Sequence, residues 1–213
     1  MTLAVIRATG DLLADVREHC EAYHYLHRWP DARSLPFSYV LLVAGERYTT
    51  DGRLNGIVTF KKPQHHRQRG LFGYDGLPTA WQVLDLARVW VQPDLQSHAN
   101  GHARCIFSQM VSLCLRRVQG DWLIHHPPRF PHLPYHIELI ISYCELAHHD
   151  GTAYRACSFT SAGKTNDGTK EVYVKWLRRP LKSWAPSRPA QLPLFDGMPL
   201  IHSDERITSN DKP

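Results

Sequence analysis

Apolar and polar residues alternate from Leu3 to Arg7, the period-two signature of a short strand. At Asp11 the period becomes helical. Leu12, Leu13, Val16, His19, Cys20 and Tyr23 fall on one face, and Asp11, just after Gly10, reads as the N-cap. This helix has to stop before Pro30, because a proline pushes the preceding residue out of helical geometry. Phe37 to Ala44 (FSYVLLVA) and Gly56 to Phe60 (GIVTF) are apolar runs of strand length. A turn beginning at Gly45 and Glu46 predicts that they form a hairpin. Lys61 to Ala80 shows no period and reads as a long loop of the kind that is usually functional. Val83 to Val91 predicts a strand. Gly101 to Val118 carries a helical stripe of Ala103, Ile106, Phe107, Met110, Val111, Cys114 and Leu115, with Gly120 just past its expected end. Four prolines make His125 to His136 an irregular connection. Ile137 to Tyr143 predicts a strand, Gly151 to Phe159 a short helix and Glu171 to Leu177 a last strand. From Arg178 onward no hydrophobic period survives.

Strands alternating with helices predict a mixed α/β domain around one central sheet. The length of 213 residues suits one domain over 1–182 and a Pro-rich tail over 183–213. A 43% hydrophobic and 21% charged composition is enough for a packed core and argues against wholesale disorder. No apolar run approaches the roughly 20 residues of a spanning helix, and charge arrives by Arg7, too early for a signal peptide. The five cysteines are scattered without a Cys-x-x-Cys pair, which fits a reducing, cytoplasmic setting better than a disulfide framework or a Cys-based zinc site. A net charge of +5 is compatible with a polyanionic partner, and 14 histidines would add to it as the pH falls toward 6.

Two regions suggest chemistry. Where the strand ending at Val91 leads to a helix starting near Asn100-Gly101-His102, free N–H groups and the helix dipole would favour a pyrophosphate. That arrangement resembles the acyl-CoA-binding core of the GCN5-related N-acetyltransferase superfamily. The superfamily's Gln/Arg-x-x-Gly-x-Gly/Ala turn is matched here by His98-Ala99-Asn100-Gly101-His102-Ala103, without the leading Gln or Arg. The second region, SYCELAHHDGTAYRACSF from Ser142 to Phe159, is similar to the Ser-Tyr-Ala-Asp and Gly-x-x-Tyr-x-Ala block of the Mom family of phage DNA-modification proteins. Tyr23-His24-Tyr25-Leu26-His27 and Leu84-Asp85-Leu86-Ala87-Arg88-Val89 resemble two further, shorter blocks of that family.

The resemblance implies an acetyltransferase-like fold with a mixed central sheet flanked by helices. It also implies modification of the exocyclic N6 amine of adenine with an acyl or methylcarbamoyl-type group, which protects DNA from restriction. The implied catalytic residues are His24, Glu145, where the family has Asp, and Tyr154; Arg88, in an apolar strand, either pairs with Asp85 or Glu145 or faces the site. Asn100, Gly101, His102 and Ala103 would bind acetyl-CoA or a related acyl-CoA, and iron is the metal associated with the family. Acyl transfer needs a base for the amine and an acid for the thiolate, and a histidine titrates where it could serve as either. An adenine would have to leave the base stack, and Tyr25, Trp29 or Tyr143 offers a ring to hold it. Lys61, Lys62, Arg67 and Arg69 form an acid-free cationic loop suited to DNA phosphates. The pairs His65-His66, His125-His126 and His148-His149 do not have zinc spacing, which leaves a metal to spatial convergence of residues such as His24, His27 and Glu145. Gln191-Leu192-Pro193-Leu194-Phe195 resembles the bacterial sliding-clamp-binding peptide, with Gln191, Leu192, Leu194 and Phe195 as its contacts. Two other readings stand beside this one: a CoA-dependent N-acetyltransferase acting on a small-molecule or peptide amine, and a non-enzymatic DNA- or clamp-binding protein.

Overall fold

The computed structural model describes residues 2–63, 82–96, 105–126, 136–165 and 167–177. Seven strands form one sheet: β1 (Leu3–Arg7), β2 (Phe37–Val43), β3 (Gly56–Lys61), β4 (Val83–Val91), β5 (Leu139–Glu145), β6 (Thr160–Lys164) and β7 (Lys170–Trp176). Their spatial order is β1-β2-β3-β4-β5-β7-β6. Every neighbouring pair is antiparallel except β4 and β5. The helices are α1 (Asp11–Tyr23), α2 (Pro93–Gln96), α3 (Ile106–His125) and α4 (Thr152–Ala156). The mixed central sheet flanked by helices is therefore the fold class expected from the sequence.

The two faces of the sheet are covered by different helices. Leu12, Val16 and Cys20 of α1 pack on Val40, Leu54 and Ile57. The opposite face carries the larger core. There α3 contributes Ile106, Met110, Val111, Cys114, Val118 and Trp122 against Tyr39, Leu41, Val58, Phe60, Leu84 and Leu86. Each large side chain buried this way contributes about 1.5–3 kcal/mol. Sequence and structure differ at several boundaries. Gly10, with φ 54°, caps α1, and Asp11 is its first helical residue, where its carboxylate still favours the positive helix end. The described part of α3 begins at Ile106 and runs past Gly120 to His125, because Val118 and Trp122 extend the apolar stripe. The helix after β5 ends at Ala156, and β6 follows it. This edge strand, Thr160-Ser161-Ala162-Gly163-Lys164, is mostly exposed and carries no apolar alternation to reveal it. Lys61 belongs to β3 rather than to a loop.

The feature that creates a site is the pairing of β4 with β5. The two run parallel with Val83 opposite Leu139, Leu84 opposite Ile140 and Asp85 opposite Ile141, and there the pairing ends. β4 continues to Val91 and β5 to Glu145, so their facing edges diverge as a wedge. A bulge marks the parting point. Thr59 pairs with Arg88 and Phe60 with Leu86, which leaves Ala87 without a partner. Ordinary alternation would put Leu84, Leu86 and Arg88 on one face. The extra residue instead turns Arg88 to the α1 face while Leu86 stays in the α3 core.

Candidate active site in the wedge between two parallel strands

On the α3 side, the wedge is closed by α4. Gly151 caps α4 in the left-handed region (φ 76°), and a Cβ there would collide with the Tyr173 hydroxyl, so a larger residue would force Tyr173 or α4 to shift. This close approach seats α4 on β7 and stacks the Tyr154 ring on Tyr173, with centroids 5.0 Å apart and planes 12° apart. The Tyr173 hydroxyl donates to Glu171 at 2.9 Å and accepts from Arg155 at 3.0 Å. Tyr154 then points its hydroxyl at Ser142, at 3.1 Å, and Ser142 Oγ lies 2.8 Å from the Leu86 carbonyl. Burial holds the Tyr154 phenol well above its ordinary pKa, so it is a neutral O–H, with the Ser142 bond pulling the other way. Serine has a single hydroxyl proton. While that proton serves Leu86, the phenol donates to Ser142; when the phenol gives its own proton away, Ser142 can swing its proton to the phenolate. No role for Ser142 follows from the sequence, although the residue opens the quoted block.

On the α1 side, the loop after α1 supplies His24 and Tyr25. His24 is 4% exposed. Its Nδ1 accepts from the Leu26 N–H at 3.2 Å. Burial, then the nearby Arg88, His149 and His27, pull its pKa down to about 3, so the ring is neutral. Tyr25 is 37% exposed. Its ring lies 4.5 Å from His24 and 5.3 Å from each of His148 and His149 in the turn after β5. Burial and the neighbouring Glu145 raise its phenol. Glu145, at the end of β5, thus faces the same space as Tyr25. Tyr25 in turn is close enough to Tyr154 to raise its pKa across the wedge. Arg88 acts on His24, Glu145 and Arg88 on Tyr25, and Tyr25 on Tyr154, so the five side chains are electrostatic neighbours where β4 and β5 part.

Arg88, expected either to pair with Asp85 or Glu145 or to face the site, hydrogen-bonds to backbone carbonyls. Its Nε and Nη2 both donate to the Arg28 carbonyl at 3.3 Å and its Nη1 to the Ala87 carbonyl at 2.6 Å. Asp85 is paired elsewhere, with Lys61 at 3.3 Å. The bulge brings Arg88 to the face of the sheet that Asp85 shares, but there Arg88 lies against the loop that carries His24 and Tyr25 while Asp85 is held by Lys61. Arg88 is thus a buried cation held by carbonyls, and it pins that loop to β4. Burial pushes the Asp85 carboxyl up and Lys61 opposes the shift. Lys61 is thus engaged in a buried pair with Asp85, while the Lys62 N–H donates to the Ser34 carbonyl at 2.7 Å. Trp29 packs into the α1-side core and Tyr143 against the Val83, Leu139 and Ile141 cluster.

All five cysteines are free thiols. Among the described residues no three His, Cys, Asp or Glu side chains converge to hold a metal, so His24, His27 and Glu145 do not form such a group. No helix among the described residues is long and apolar enough to cross a membrane. Asn100, Gly101, His102, Ala103, Arg67, Arg69, the His65-His66 pair and the tail with Gln191, Leu192, Leu194 and Phe195 lie outside the described residues.

No family model matches the chain, and no curated protein does. Solved structures do match. The chain is similar to NAA60 of Arabidopsis thaliana in complex with acetyl-CoA, with 13% identity over 82% of this chain and 98% of that one and a TM-score of 0.49. It is similar to the ribosomal-protein-S18-alanine N-acetyltransferase of Escherichia coli, with 10% identity over 86% and 99% of the two chains and a TM-score of 0.44. It is also similar to the GNAT domain of S. lividans PAT, with 9% identity over 81% and 89% and a TM-score of 0.46. Likeness of this size carries no argument about chemistry, which rests on the wedge itself.

Proposed function

We propose that the protein is an N-acyltransferase that moves an acyl group from a CoA thioester to an amine held in the wedge between β4 and β5. One observation carries this reading: a neutral phenol reaches the parting point from one face of the sheet, while a histidine, a tyrosine and a carboxylate reach it from the other. Past Asp85 and Ile141, the facing edges of β4 and β5 have no strand partner among the described residues. Such an edge can pair with the amides of a pantetheine arm as it would with another strand. A bound thioester supplies an activated carbonyl. In this reading Glu145 accepts the proton of the attacking amine, and Tyr154 protonates the departing thiolate while Ser142 shifts its proton to the phenolate. The expected pyrophosphate site is Asn100, Gly101, His102 and Ala103.

For the acceptor, a small-molecule or peptide amine is the simplest reading. A second reading, the N6 amine of adenine in DNA, is supported by Tyr25. This ring is partly exposed and bracketed by His148 and His149, the kind of stacking surface a nucleobase out of its stack requires. The Ser142-to-Phe159 block and its resemblance to the Mom family support the same acceptor, with anti-restriction as its consequence. That reading also takes Lys61, Lys62, Arg67 and Arg69 as DNA contacts, the 191–195 peptide as a clamp ligand and the bacterial cytoplasm as its setting. Iron has no support among the described residues.

The test is CoA release from acetyl-CoA with an amine panel that includes double- and single-stranded DNA, followed by mass spectrometry of the digested nucleosides. Release that falls at least about 100-fold in Tyr154→Phe, the scale of a lost acid–base group, supports acyl transfer. A modified deoxyadenosine assigns the acceptor to DNA, and a modified small amine assigns it to the first reading. No release with any acceptor overturns the proposal.

A further inference from the structure

His24 was expected to act as acid or base near neutral pH. The geometry around its ring does not allow this. The Leu26 amide is a fixed donor, and it points at Nδ1 at 3.2 Å. An atom that accepts a backbone N–H carries no proton, so a neutral ring must carry its proton on Nε2. Both nitrogens are then committed: Nδ1 has spent its lone pair on the loop and Nε2 has none to offer. The surroundings oppose a second proton from every side. Arg88 stands beside the ring from β4, His27 from its own loop and His149 from the turn after β5. Cys20 of α1 lies against Arg88, and Glu145 of β5 acts on Tyr25. Because Arg88 is anchored to the Arg28 and Ala87 carbonyls, its charge cannot swing away.

We propose that His24 is a neutral, tautomer-fixed donor whose Nε2–H stabilises the oxygen that takes up negative charge at the reacting carbonyl, and that it never serves as the general base. The acceptor and the donor thioester are those of the function proposed above. The amine nitrogen bonds to the carbonyl carbon and the C=O electron pair moves onto oxygen, where the Nε2–H meets it. The amine's proton passes to the Glu145 carboxylate. On collapse the C–S bond breaks, the thiolate takes the Tyr154 proton, and solvent returns Tyr154 and Glu145 to their starting states. An electrically neutral donor suits this role because it needs no proton exchange with solvent during turnover.

Two measurements on the full chain test this. The first needs no substrate: 15N NMR of the histidine rings between pH 5 and 8, with His24 assigned by its loss in His24→Gln. We expect an unprotonated Nδ1, a protonated Nε2 and no titration midpoint in that range. A protonated Nδ1, or a midpoint near the ordinary 6.5, overturns the proposal. The second compares two amide replacements by CoA release from acetyl-CoA with the best acceptor of the panel. The side-chain amide of His24→Gln can place an N–H where Nε2 was, whereas that of His24→Asn can accept from Leu26 but reaches no further. His24→Gln is expected within about tenfold of the parent and His24→Asn at least about 100-fold below it, the scale of one lost oxyanion donor. Equal loss in both variants, or an acid limb near pH 6.5 that vanishes in His24→Gln, contradicts the donor role. A parent that releases no CoA overturns the transferase reading, whereas the ring spectrum decides the tautomer independently.

Discussion

At the scale of single residues, two buried histidines set the response to acid. His19 is held neutral by burial and by Arg53, with its pKa lowered to about 4, and that of His24 is lowered to about 3. In the unfolded chain both would take up protons as the pH falls through 6.5, while the folded protein refuses them until near 4 and 3. Their contribution to stability is complete above 6.5 and is lost as the pH falls below it. Two such protons give a slope of up to about 2.7 kcal/mol per pH unit. Urea unfolding at pH 7, 6 and 5 checks this: stability should drop across the series, and His19→Gln should flatten the drop by about half. A constant stability from pH 7 to 5 would contradict the burial of both rings. Ser142→Ala makes a separate point. It removes the partner of the Leu86 carbonyl and the proton source for the Tyr154 phenolate. The expected cost is about 1–2 kcal/mol of stability. The CoA-release rate should also fall about tenfold, a loss a purely structural serine would not cause once the variant is shown to be folded.

At the scale of elements, the pieces of the site depend on contacts that span them. The Gly151→Ala Cβ would press on the Tyr173 hydroxyl, so α4 must lift off β7 or Tyr173 must move. A loss of about 2–4 kcal/mol is expected in chemical unfolding, with partial recovery in Gly151→Ala/Tyr173→Phe because the ring carbons remain close. Lys61 and Asp85 lock β3 to β4 just before the bulge. Asp85→Asn should cost about 3–5 kcal/mol by leaving the ammonium buried and unpaired, and Lys61→Met/Asp85→Leu should recover most of it. The strands and helices with strong apolar periods were legible in the sequence; β1 and β4 lie at the bounds that their alternation predicts. β6 was not legible, because an exposed edge strand needs no apolar face. The bulge at Ala87 was not legible either, since it is a mismatch of pairing between β3 and β4 and neither strand alone encodes it.

At the scale of the whole molecule, the site arises because the sheet opens. Three sequence blocks, around His24, Arg88 and Tyr154, come from different elements and meet at the single place where two parallel strands part. The blocks were visible as residues, and their convergence belongs to the topology. The chemistry was only half visible. Residue types suggested a histidine acid or base and an arginine that pairs with an acid or faces the site, whereas the partners of the two side chains include backbone groups of Leu26, Arg28 and Ala87. Backbone partners of this kind leave no trace in side-chain identity. The most direct test of the wedge as the place of acyl transfer is a titration of the full chain with acetyl-CoA followed by amide NMR. Saturable shifts concentrated at Leu86–Val89 and Ser142–Glu145 are predicted. Saturable shifts elsewhere that leave both strand edges unmoved, or no saturable shift at all, would contradict it.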